Sequence, residues 1–107
     1  MAETRDPARC ALERRWLDLT NLDLPAAATA GWPVRLNHCF QRILLDAAVG
    51  GVWYDAIPGR PAYKAAPRDV LERAVATGKD VLAGRADLMA LNDRSLAWRG
   101  KAGRRSA

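Results

Sequence analysis

The sequence predicts an all-α fold. It reads as a single compact domain of four to five short helices over residues 1–98, followed by a basic, flexible C-terminal tail at 99–107. Three observations carry this expectation. Apolar residues recur at i, i+3, i+4 and i+7 in several separate segments, the spacing of a buried helix face. No stretch alternates apolar and polar side chains with the period of a strand. Alanine, the strongest helix former, fills 21 of the 107 positions. A chain of this length supplies one core and not two.

Asp6-Pro7 is a helix start: Asp can cap, and Pro is tolerated at the first helical position. The first helix is expected to run to about Leu19, with Leu12, Trp16 and Leu19 on its inner face. Asn21 or Asp23 then caps a short helix over 25–30, which Gly31 ends. Trp32-Pro33 forces an extended link. Asn37 caps a third helix over 38–49, the most apolar of the set, with Leu36, Phe40, Ile43, Leu44 and Ala47 on one face and Gly50 beyond its end. The six residues Val52 to Ile57 are too few to separate a short helix from an extended piece. Pro58-Gly59-Arg60-Pro61 reads as a loop.

Pro67 opens a fourth helix over 67–83, whose stripe is Val70, Leu71, Ala74, Val75, Gly78, Val81 and Leu82. Gly78 either costs about 1 kcal/mol relative to Ala or marks a close helix crossing. A fifth helix is expected over 86–98, with Asp87 in its first turn and Leu88, Leu91 and Ser95 on one face. The expected core is Leu12, Trp16, Phe40, Ile43, Leu44, Val70, Leu71, Val75, Val81, Leu82, Leu88 and Leu91.

The net charge is +5 and is unevenly distributed. Residues 1–93 hold 12 basic and 12 acidic side chains, whereas Arg94, Arg99, Lys101, Arg104 and Arg105 stand in the last 14 residues without an acid. This excludes a uniformly basic, histone-like protein and describes a neutral body with a basic end. Two cysteines are too few for a disulfide scaffold, and one histidine leaves no Cys/His zinc pattern, so no metal or cofactor is expected. The start of the chain lacks the apolar run of a signal peptide, and the longest uncharged stretch, 24–34, is far too short to span a bilayer. The expectation is a cytoplasmic protein with reduced thiols and no membrane partner.

Three groups of residues can be read as chemistry or as packing. The first is Asn37-His38-Cys39-Phe40-Gln41-Arg42, with Asp46 one turn on. A helix N-terminus lowers a thiol pKa, so His38 and Cys39 are the catalytic candidates. The packing alternative makes Cys39 a small core residue and Arg42–Asp46 a surface ion pair. In the second group, Trp32, Trp53, Tyr54 and Tyr63 beside His38 and Arg42 could line a ligand pocket, or could staple loops to the core. The third group is the C-terminal segment, where Arg94, Trp98, Arg99 and Lys101 interleave an aromatic ring with cations. That combination suits phosphates and unpaired bases, although Trp98 could equally be the last core residue of its helix. The expected binding residues are Arg35, Asn37, His38, Arg42, Trp53, Tyr63, Arg94, Trp98, Arg99 and Lys101, with DNA or RNA as the partner. The alternatives are an enzyme and a protein–protein adaptor.

Several of these residues also carry a family resemblance. Trp32-Pro33-Val34-Arg35, Asn37-His38-Cys39-Phe40-x-Arg42-Ile43-x-Leu45-Asp46, Gly50-x-x-Trp53, Pro61-Ala62-Tyr63 and Leu91-Asn92-x-Arg94-Ser95-Leu96-x-Trp98-Arg99-Gly100-Lys101 together resemble a family of short bacterial proteins described as GNAT-type N-acetyltransferases. The resemblance covers roughly residues 31–101 and implies an acyl (N-acetyl) transferase. GNAT enzymes grip acetyl-CoA with an Arg/Gln-x-x-Gly-x-Gly/Ala turn between a strand and a helix. This sequence has no such turn, so no acetyl-CoA residue carries over.

Overall fold

The protein, described by a computed structural model over residues 6–100, is all-α, with no strand among those residues. Helix α1 spans Pro7–Asp18, and the Asp6 carboxylate caps it by accepting the Ala8 N–H at 3.0 Å. The chain does not break at Leu19. It continues through a wider turn, Leu19–Asp23, in which the Leu24 N–H reaches the Leu19 carbonyl, and then into α2, Leu24–Ala27. Pro25 has no N–H, and its ring crowds the carbonyl of Asn21 four residues back. The wider turn absorbs that conflict without ending the helix. The expected separate helix over 25–30 is therefore corrected: Asp23 is itself helical and caps nothing.

Helix α3, Asn37–Val49, is the centre of the fold and packs on both long helices that follow. Gly50 closes it in the left-handed conformation (φ 75°), which L-residues with a Cβ adopt only under strain. Leu36 occupies the N-cap position expected for Asn37. The Asn37 side chain instead accepts the His38 N–H and donates to Asn21 Oδ1 at 2.9 Å. A single helical turn, α4, covers Trp53–Ala56, and another, α5, covers Ala62–Ala65. The α5 turn is held from outside: Arg9 donates to the carbonyls of Tyr63 and Ala66, both at 2.8 Å, while pairing with Glu13. Helix α6 spans Arg68–Leu82 and α7 spans Leu88–Trp98. Asp87 is the N-cap of α7 rather than part of its first turn, accepting the N–H groups of Met89 and Ala90.

The core joins Trp16, Leu19, Leu24, Phe40, Ile43, Leu44, Leu45, Leu71, Ala74 and Val75 with Ile57 from the α4–α5 link. Two expected core residues differ. Leu12 is only partly buried. Leu82 is 36% exposed, because it is the last residue of α6 and borders an open cleft with Trp32 and Met89.

Gly78 marks a close crossing. A Cβ there would overlap Leu19 Cδ2 and lie 3.1 Å from Leu44 Cδ1, both side chains being buried. Gly78→Ala gains about 1 kcal/mol of helix propensity and loses about 1–3 kcal/mol to overpacking. Urea denaturation should give a lower midpoint for the variant. A higher midpoint would show that the crossing has room to spare.

Candidate functional site

The polar centre of the molecule is Asp46, whose side chain has no exposure. Helical spacing puts it on the inner face of α3, three residues after Ile43. Its carboxylate accepts four hydrogen bonds. Ser95 Oγ donates to Oδ2 at 2.6 Å, and Arg99 Nε donates to the same oxygen at 2.9 Å. Arg99 Nη2 donates to Oδ1 at 3.0 Å, and the Trp53 backbone N–H donates to it at 2.9 Å. The Asp46 carbonyl also accepts the N–H groups of Gly50 and Gly51. One residue thus ties α3 to the start of α4 and to the end of α7.

Arg42, one turn earlier, does not pair with Asp46 as the surface-pair expectation had it. Its Nη1 donates to Ser95 Oγ at 2.7 Å and its Nη2 to Asn92 Oδ1 at 2.9 Å. Asp46 has turned inward, and Arg99 supplies its counter-charge from the far side. Hydrogen bonding to Asp46 raises the Arg99 pKa above its ordinary value. Burial holds the Arg42 pKa below its ordinary value, and the nearby Arg99 charge adds to that shift. Arg42 therefore sits half-buried with neutral partners, making no ion pair among the described residues.

A cleft of about 230 Å³ opens beside this network. His38, Gln41, Arg42 and Leu45 of α3 form one wall, and Trp53, Arg60, Pro61 and Ala62 form the other. The Arg60 guanidinium lies over the Trp53 ring, 5.5 Å from its centroid, and Arg99 lies 5.3 Å over Tyr54. Trp53 and Tyr54 meet edge to face at 5.5 Å. Among the described residues, no carboxylate lines the cleft.

Of the residues singled out in the sequence, His38, Arg42 and Trp53 meet in this cleft. Tyr63 does not line it; its ring packs on the core, with Lys64 Nζ 5.6 Å from its centroid. Trp32 instead packs edge-on against Phe40 at 5.9 Å. Arg35, Asn37 and Arg94 are exposed, and Trp98 is 40% exposed. Arg94 and Trp98, four residues apart, share one outer stripe of α7. Cys39 is half-buried rather than fully in the core. Arg99 does not belong to a free tail: its side chain is only 16% exposed and is committed to Asp46. Lys101, Arg104 and Arg105 lie outside the described residues. The sequence reading missed Ser95 and Asn92 as polar partners, and Gln41 and Arg60 as cleft residues. Asn92 and Ser95 fall on the same face as Leu88 and Leu91, and a polar residue on an apolar stripe is the signal that marks them.

Among the described residues, no group of three or more His, Cys, Asp or Glu side chains could hold a metal ion. None of their helices is long and apolar enough to cross a membrane. No known protein-family model, curated protein or solved structure matches the chain.

Removing one partner of a buried pair strands the other charge, at a cost of about 3–5 kcal/mol. Arg99→Ala should destabilise the protein by that amount in urea denaturation. Arg99→Lys should recover only part of the loss, because an ammonium lacks the two-pronged fork. A loss below about 1 kcal/mol for Arg99→Ala would mean that the pair is solvated.

Proposed function

We propose that this protein is a nucleic-acid-associated binding module, without catalytic chemistry of its own, and that the cleft beside Arg42 receives a phosphate group of DNA or RNA. The observation that carries this reading is the state of Arg42. A guanidinium taken partly out of water, held by two neutral partners and bordering a cleft with a second arginine, gains most from an incoming anion. Two of its five N–H donors are used by Ser95 and Asn92, which leaves three for a ligand. Trp53 and the exposed Trp98 offer aromatic faces of the kind that single-stranded binders use, and Arg94 stands beside Trp98.

The cleft volume supports a small anionic group over a large cofactor. At about 230 Å³ it lies below the range of roughly 300–1,000 Å³ typical of pockets for drug-sized ligands. This weighs against the acyltransferase alternative, whose cofactor is a long nucleotide thioester. A protein adaptor is the second reading. It draws on a separate cleft of about 370 Å³, lined by Trp32, Pro33, Val81, Leu82, Leu88 and Met89, where apolar side chains are left uncovered.

Fluorescence anisotropy with a labelled single strand of about ten nucleotides tests the proposal. Affinity should fall with added salt, with a log–log slope of about −1.4 if one phosphate sits between Arg42 and Arg60 and a second meets Arg94, at about 0.7 per phosphate. Arg60→Gln should reduce both affinity and slope, whereas Leu82→Asp should change neither. Absence of binding at low salt, or binding that ignores Arg60, would refute the proposal.

A further inference from the structure

We infer that the cleft between α3 and the α4–α5 link is a site for a terminal, doubly charged phosphoryl group, so that the module distinguishes a 5′-phosphorylated strand from a 5′-hydroxyl one. The inference deepens the nucleic-acid reading and rests on the same cleft being the binding site. Its argument is charge and size. The cleft brings together two permanently charged guanidinium groups, Arg42 and Arg60, with no carboxylate lining it among the described residues. An internal phosphodiester carries one negative charge, whereas a terminal monoester carries close to two at neutral pH. The pair of guanidiniums therefore matches the monoester.

The two cations also differ in how they are held, and the difference fits a captured group. Arg42 is held in place by Ser95 on Nη1 and Asn92 on Nη2, so the guanidinium is positioned before any ligand arrives, with Nε–H and one N–H on each terminal nitrogen outside those bonds. Arg60 is exposed and rests on the Trp53 ring, a contact it can keep while its N–H groups turn to a phosphate. His38 and Gln41 add polar side chains along the α3 wall. Apolar Leu45, Pro61 and Ala62 complete the lining, and low polarity there strengthens the charged contacts. The cleft's small volume suits one phosphoryl group with its sugar and leaves the base outside, beside Trp53.

Isothermal titration of the full chain with four probes decides the matter: inorganic phosphate, a nucleoside 5′-monophosphate, and the same single strand with and without a 5′-phosphate. The expected result is at least a tenfold preference for the 5′-phosphorylated strand, with the monophosphate competing for it. Arg60→Gln, at an exposed position, should erase the preference while the protein stays folded. Arg42→Gln should do the same, and its circular dichroism reports whether the fold survives. Equal affinity for the two strands, with the salt dependence intact, overturns the inference and leaves the nucleic-acid reading standing. Binding of inorganic phosphate and monophosphate without binding of either strand supports the phosphoryl site and overturns the nucleic-acid reading. A preference that survives Arg60→Gln overturns the assignment to this cleft.

Discussion

A carboxylate cut off from water must find every partner inside the protein, and Asp46 finds them on three parts of the chain. Transfer of an unpaired ion into the interior costs several kcal/mol, so the fold holds only where that charge is answered. Arg99 answers it with a two-pronged contact, Ser95 with a short hydroxyl bond and Trp53 with its backbone N–H. These groups come from α7, from the residue just beyond it, and from the first turn after the Gly50-Gly51 break. The geometry of the cleft follows. Trp53 is set by its own N–H, and Arg42 is aimed by the Ser95 that also holds Asp46. The apolar core fixes α3 against α6, and the Asp46 network fixes what stands around the end of α3.

The same network redistributes the charge. Five cations in the last 14 residues describe a basic end by composition alone. Arg99 is removed from that set, because its charge is spent against Asp46. Arg42, one of twelve cations in a body whose charges sum to zero, joins the set of cations open to an external anion. Net charge along the chain and free charge on the surface are therefore different quantities here. The cleft gains its positive character because Asp46 turned inward to pair with Arg99 and makes no direct bond to Arg42.

The helices were legible in the sequence because their apolar spacing is local. The stripe on α6 and the Phe40, Ile43 and Leu44 part of the inner face of α3 lie where the period puts them, whereas Leu36, read as part of that face, is the exposed N-cap. The continuation past Leu19 was not legible, since Pro25 ordinarily reads as a fresh start and the wider turn that accommodates it has no sequence signature. Leu82 shows the limit of periodicity, which gives direction around a helix but not whether a neighbour stands there. In the candidate site, the meeting of His38, Arg42 and Trp53 followed from their nearness to one helix and its succeeding turn. Arg99 with Asp46, and Arg42 with Asn92, join residues about fifty positions apart. Such pairings need the packing of α7 on α3, which no local pattern encodes. An Arg and an Asp at i, i+4 read as partners on a surface only while both are taken to point outward.

The claim that the buried Asp46 network organises this end of the molecule has a direct readout in native-state hydrogen exchange of the Trp53 amide. That N–H begins a single helical turn, where an amide ordinarily exchanges by local fraying. If Asp46 holds it as the geometry requires, its exchange should proceed only through global unfolding, with an opening free energy equal to that measured by urea denaturation. Exchange at the rate of an exposed loop amide would contradict the account.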